Sequence, residues 1–433
     1  MITHSSKSRM VIGMPVSLFW GYIAVGLFMT GDGLEQNFLS HFITTDFGFP
    51  KDKSSLVFTA YGLTVAISSW LSGVLAETFG AKKIMIVGSL MWIILHIAFM
   101  QFGIISHNYL PILFFYGLRG FAYPLFFYGF FYWVVKETPD NQLASAVGWI
   151  WSMFTIGYGI FGNLIPIYMV KHYGAECTLW QSLLWAGAGA AITIFLLKNN
   201  ESNTPNKRVH YTFTERLGTI TRDLTLVFRN RDLAIALIIR AICNFSLFGI
   251  LTVVLPNFYP SSHGGHFTME QWQIISVFIY PIQPFSNVLW GMIGDRIGWL
   301  KQMRWAGFVG CGTATILLYY IPIWYPGNIY PSICGMLFFA LTITAFVPMG
   351  AIFPMLAPEH KGAAVSVQNL GGGLSSFGGP TIVSIVYFLG FDDFFVFITF
   401  GFLYYIAAFL TYFIRLKQPG VDFEIEPELS VCE

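Results

Sequence analysis

Long apolar runs dominate this chain, and its polar residues gather at their ends. Each run holds about 20 or more predominantly apolar residues, the length a helix needs to cross roughly 30 Å of hydrocarbon. Hydropathy and turn residues predict twelve helices: 17–42, 54–77, 83–105, 109–135, 142–169, 178–197, 233–258, 271–294, 303–323, 331–354, 363–388 and 393–414. Membrane strands would alternate in polarity over segments of about ten residues, and no such alternation is present. One connection is long, "KNNESNTPNKRVHYTFTERLGTITRDLTLVFRNRD" at 198–232. It divides the chain six helices and six, and its periodicity from about Tyr211 fits a helix lying on the membrane surface. The expected fold is an all-α membrane protein. Its parts are a first bundle (1–197), a cytoplasmic loop (198–232), and a second bundle with a short tail (233–433).

Composition sharpens that picture. Of 433 residues 55% are hydrophobic, 18% aromatic and only 10% charged, against about 25% charged in a soluble domain. Eighteen of the 23 lysines and arginines fall on the side of the two termini and three (Lys51, Lys53 and Lys171) on the other. Arg119 and Arg240 remain inside spans. By the positive-inside rule both termini are cytoplasmic, which implies a multi-pass protein of the cell's inner membrane. The first apolar run is too long for a secretory signal and no small-residue cleavage site follows, so it reads as an uncleaved span. A net charge of +1 gives no field for nucleic acid. The bilayer and a small solute are the expected partners, and the chain is expected to be a monomer. The five cysteines are scattered, which fits packing and not a metal cage or a disulfide framework.

The two halves repeat. "GVLAETFGAKK" begins at Gly73 and "GMIGDRIGWLK" at Gly291, 218 residues later. "FAYP" ending at Pro124 and "AFVP" ending at Pro348 lie 224 apart, and Pro139 and Pro358 lie 219 apart. In the first pattern Gly73 and Gly80 permit a tight turn. Glu77 can then pair with Lys82 or Lys83, or cap a neighbouring helix. Gly291, Asp295, Gly298 and Lys301 repeat the arrangement, with Arg296 as a second partner for Asp295. Such a cluster suits a gate on the side of the termini.

Twelve helices in two repeats, a basic central loop and this paired Gly-x-x-x-acid-x-x-Gly signature resemble the major facilitator superfamily. Glu77 for aspartate and Ala81 for a basic residue are departures that keep the charge logic. More narrowly, "FMTGDGLE", "YGLRGFAYPLF", "FSNVLWG" and "FVPMGAIFP" resemble the polyol permease family. That family includes ribitol and arabinitol proton symporters and a branch associated with siderophore export.

Ionisable groups inside a span cost about 2.5–3.5 kcal/mol each on insertion scales and persist when paired or facing a water-filled path. Asp32, Glu35, His96, Arg119 and Arg240 are such groups. The resemblance implies that spans 1, 4, 7 and 10 line a central cavity. Asp32 and Arg119 each lie about 15 Å from the outer end of their spans, so an Asp32–Arg119 pair is expected, its proton traded against solute. Glu35 is placed to relay that proton outward, and His96 lies at similar depth. Asn37, Tyr123, Arg240, Asn244, Gln283, Asn287, Gln368 and Asn369 are the candidate solute ligands. Amides and guanidinium groups suit hydroxyls that both donate and accept.

"NLGGGLSSFGGP" from Asn369 follows no strand and lacks the Gly-Lys-Ser/Thr ending of a phosphate loop. It reads as small residues allowing close packing in a membrane helix. No nucleotide-binding motif is present, so no cofactor is called for and a proton gradient is the expected energy source. No nucleophile–base set or metal-ligand cluster marks an enzyme, and the short tails carry no signalling domain. The leading reading is therefore a proton-coupled polyol transporter working by alternating access. Its alternative is a transporter, even an exporter, of a siderophore or related hydroxycarboxylate.

Overall fold

The computed structural model describes residues 10–11, 14–138, 143–198, 227, 229–357, 361–418 and 421. Apart from a two-residue antiparallel pairing of Met10–Val11 with Met14–Pro15, the regular structure among them is helical. The helices fall into the twelve expected spans. Eight continuous stretches among the described residues are long and apolar enough to cross a bilayer unaided. One of them, Gly148–Leu196, carries spans 5 and 6, which meet at Gly174, where a φ of 83° breaks the helix.

Spans 1 and 8 are each broken near the middle. Span 1 runs as Phe19–Gly33 and Leu39–Thr45, with turns at 34–38. Span 8 runs as Met269–Val277 and Gln283–Ile297. Its break contains Pro281, and Pro284 follows at the restart; neither has an N–H to continue the ladder. Span 4 divides at Gly120–Phe121 into Tyr109–Arg119 and Ala122–Glu137, because Pro124 cannot donate to the carbonyl four residues back. Span 10 divides before Pro348 in the same way, into Ile329–Thr344 and Met349–Leu356. Span 7 leaves α-helical geometry between Cys243 and Leu255. Broken helices free backbone and re-aim side chains at mid-depth, where membrane carriers place their sites.

Span 11, Lys361–Phe388, is the glycine-rich helix, and its small residues do what the sequence implied. A Cβ on Gly373 would stand 2.8 Å from the Ala66 backbone of span 2, and one on Gly379 would stand 2.9 Å from the Gly249 amide of span 7. Span 2, Lys51–Phe79, thus packs along span 11 at backbone distance.

The repeated turn is visible in the backbone. Gly80 has φ 93° and ψ 134°, and Gly298 has φ 94° and ψ 133°. These values are accessible to glycine alone. Gly73 and Gly291 sit in their helices with open space where a Cβ would be, so the second glycine of each motif, not the first, makes the turn. Lys82 Nζ donates to Ile194 O at 3.1 Å and Leu197 O at 2.6 Å, capping the end of span 6. Lys301 is exposed. The side chains of Glu77 and Asp295, residues Pro139 and Pro358, and most of the 198–232 loop lie outside the described residues.

Candidate functional site

A cavity of about 130 Å³ lies between the first and last six spans at mid-depth. The breaks in spans 1, 4, 7 and 8 supply much of its wall. Gln36 comes from the turns of span 1, Tyr116 and Tyr123 flank the break in span 4, Thr252 sits in the irregular part of span 7, and Tyr280 and Gln283 bracket Pro281. Tyr61 of span 2, Thr155 and Tyr158 of span 5 and Ser376 of span 11 complete the polar lining, with Phe58, Phe154, Leu247 and Phe248 as apolar wall. Gln36 spans the gap: its amide nitrogen donates to the Tyr158 hydroxyl, and its carbonyl accepts from Thr252 Oγ1 at 3.4 Å.

The buried charges stand behind that wall, in a cluster of spans 1, 3 and 4. Arg119 is fully buried and forms an ion pair with Glu35 through Nη2. Its Nη1 donates to His96 Nδ1. A guanidinium only donates, so Nδ1 carries no proton, and His96 Nε2–H donates to Leu179 O at 2.9 Å. His96 is therefore neutral in this arrangement and stacks on Trp92 with ring centroids 4.6 Å apart. Rings of Tyr116 at 4.6 Å, Trp92 at 4.9 Å, Phe99 at 5.7 Å and Tyr61 at 5.9 Å surround the guanidinium, a favourable setting for a cation away from water.

The expected Asp32–Arg119 pair is not formed. Asp32 Oδ1 accepts instead from the Trp92 indole at 2.7 Å, and the Tyr61 hydroxyl lies 3.4 Å from both Asp32 oxygens. The error came from treating span 1 as one continuous helix. Its helix stops at Gly33, and the turns that follow carry Glu35, not Asp32, to the arginine. Glu35 Oε2 is buried with no hydrogen-bond partner.

Of the expected solute ligands, Tyr123 and Gln283 line the central cavity. Asn37 does not. Its side chain donates to Ser276 Oγ at 3.3 Å and its carbonyl accepts from Trp272 Nε1 at 2.7 Å, so in this conformation it joins spans 1 and 8. Asn244 ends the first helix of span 7, Asn287 is exposed, and Gln368 faces Gly350 of span 10; none of the three lines the cavity. Asn369 lines a separate cavity of about 160 Å³ nearer the termini, with Trp70 and Tyr128. Arg240 packs against Gly371 and Gly372. Sequence reasoning missed Gln36, Tyr61, Tyr116, Tyr158 and Thr252. Only the position of Gln36 beside Glu35, in a stretch with two glycines, held a signal.

The end of the molecule opposite the termini is closed. Lys51 Nζ reaches Asp393 at 2.6 Å, and Lys171 reaches Glu270 at 2.8 Å. Beneath these, Ser40 Oγ donates to Val253 O at 2.7 Å and Asn257 Nδ2 donates to Ser40 Oγ at 2.8 Å. Each contact joins one of the first six spans to one of the last six.

A transport path crossing paired sets of broken helices is a family-level arrangement, and the sequence comparison decides which family. The model of the Major Facilitator Superfamily matches residues 18–380. This chain belongs to that superfamily. Superfamily members similar to it include a D-arabinitol transporter and a ribitol transporter, both of Klebsiella pneumoniae. They are 39% identical over 417 residues and 38% identical over 416, and each match covers 96% of this chain and 96% of the relative. An alpha-ketoglutarate permease of Bacillus subtilis (strain 168) is 37% identical over 413 residues, 95% of this chain and 92% of its own. The crystal structure of nucleoside transporter NupG superposes with a TM-score of 0.72 at 15% identity, over 92% of this chain and 99% of that one, a likeness of fold alone. The superfamily membership makes the protein a multi-pass membrane transporter of a small molecule, not an enzyme.

Proposed function

We propose that this protein is a proton-coupled carrier of a small polyhydroxylated solute such as ribitol or arabinitol. It works by alternating access in the cell's inner membrane, with both termini cytoplasmic, as a monomer and without a cofactor. The observation that carries this reading is the chemistry of the central cavity. Its polar lining is phenol, amide and the hydroxyls of threonine and serine, groups that can each donate and accept, and no charged side chain lines it. A neutral solute with several hydroxyls suits such a wall. A volume of about 130 Å³ favours a small molecule over a siderophore. The printed names of the two Klebsiella pneumoniae relatives agree.

Coupling follows from charge balance. The cluster behind the wall holds two carboxyls, Asp32 and Glu35, and one guanidinium, Arg119; an uncompensated charge there is costly. Glu35 neutralises Arg119, so one exchangeable proton remains and resides on Asp32. With the end opposite the termini shut, the proton leaves Asp32 on the side of the termini as solute is released. The bundles 1–197 and 233–433 then rock about the cavity.

The test is uptake by reconstituted vesicles under an imposed pH gradient. Ribitol or arabinitol is expected to accumulate when the gradient is present and to equilibrate without accumulation when it is collapsed. Polyol uptake that ignores the gradient removes the coupling, and absence of uptake for every polyol removes the solute class.

A further inference from the structure

One half-buried cation within a span, Arg240, takes no part in the wall of the central cavity. Arg240 lies nine residues into the helix Arg231–Cys243, about 13 Å from its start. Span 11 makes room for it: a Cβ on Gly371 would stand 2.7 Å from Arg240 Cγ, and one on Gly372 would stand 3.0 Å from Nη2. Three ion pairs occur among the described residues, and none includes Arg240. Its Nε is buried without a hydrogen-bond partner. The helix end at Cys243 offers partial negative charge, a weaker compensation than a carboxylate.

The surroundings are donors as well. Asn369, one turn before Gly372, lines the inner cavity of about 160 Å³ together with Ser69, Trp70 and Tyr128, while Ser376, one turn after it, lines the central cavity. Trp70 Nε1 and Ser69 Oγ are also buried without partners. A guanidinium outside any ion pair, beside Tyr128, and an indole N–H without an acceptor, set beside the helix that borders both cavities, lack one thing in common: an acceptor with negative charge.

We infer that Arg240, with Trp70, Ser69 and Asn369, forms an anion station on the inner half of the path. Its ligand is the carboxylate of a small hydroxy acid whose hydroxyls suit the central cavity. The inference deepens the proposed function and rests on its reading of the central cavity as the solute path. It adds to the polyol a second solute of the same hydroxylated class, the corresponding acid, held at one further point on the path.

The experiment compares D-ribonate, ribitol and inorganic phosphate as ligands of the purified full-length protein by titration calorimetry. Wild type is expected to bind ribonate more tightly than ribitol. Arg240→Gln is expected to weaken ribonate about tenfold or more, with ribitol changed less than about twofold. Arg240→Lys, which keeps the charge, should fall between wild type and Arg240→Gln for ribonate. Its elution as a folded monodisperse species separates loss of charge from loss of fold. Ribitol binding without ribonate binding, or equal loss of both in Arg240→Gln, overturns the anion station and leaves the polyol reading standing. Phosphate binding that depends on Arg240 while ribonate does not bind overturns it in favour of an inorganic-anion site. Binding of neither ribonate nor ribitol removes both readings.

Discussion

The Tyr61 hydroxyl stands 3.4 Å from both carboxylate oxygens of Asp32, while the same residue lines the central cavity. It touches solute space on one side and the buried acid on the other. A solute hydroxyl that engages Tyr61 competes with Asp32 for its proton. Tyr61→Phe keeps the ring beside Arg119 and removes only that link. Solute binding and exchange are expected to persist within a few-fold, the range of one neutral hydrogen bond of about 0.5–1.5 kcal/mol, while gradient-driven accumulation falls sharply. Accumulation equal to wild type in the vesicle assay would show that the hydroxyl carries no coupling.

Asp32→Asn removes the exchangeable proton but keeps an acceptor for the Trp92 indole. Exchange of unlabelled for labelled solute should continue, and accumulation driven by a pH gradient should vanish. The pH dependence of exchange should flatten as well, since no titrating group remains beside Tyr61. A mutant that still accumulates solute takes Asp32 out of the proton path.

Arg119 and Glu35 make a different prediction, about stability. Arg119→Gln strands a buried carboxylate, and breaking such a pair costs about 3–5 kcal/mol. The double variant Arg119→Gln/Glu35→Gln leaves no uncompensated charge and should recover much of that loss. Thermal unfolding in detergent reads both. If the double variant is less stable than the single one, the pair is not the unit drawn from the geometry.

The repeated turn can be tested with two small changes. Gly80→Ala and Gly298→Ala each force a side chain into a glycine-only backbone, at about 1–3 kcal/mol. Both should lower the unfolding midpoint. Gly73→Ala and Gly291→Ala, where a Cβ meets open space, should leave it nearly unchanged. Equal effects at all four positions would contradict the assignment of the turn to the second glycine.

Much of the architecture was readable because a bilayer allows few solutions. The ends of span 3, predicted at 83–105 and observed as helix over 81–104, needed only hydropathy and a glycine turn. The repeated motif likewise returned as two turns of nearly the same φ and ψ. What escaped was the interruption of helices. Treating residues 17–42 as one helix misassigned the partner of Arg119, because the turns at 34–38 depend on packing against other spans. Tyr61 and Tyr116 were hidden for another reason. The chain has 21 tyrosines, and a cavity-lining phenol has the same local sequence signature as one facing lipid.

The seal at the end away from the termini consists of several modest bonds, among them Ser40 to Val253, Asn257 to Ser40 and Trp272 to Asn37. Each is worth about 1 kcal/mol in net terms. A barrier assembled from such small increments can part like a zipper, tooth by tooth, with water taking the place of each lost partner. The lid is therefore sturdy as a whole yet has no single bolt.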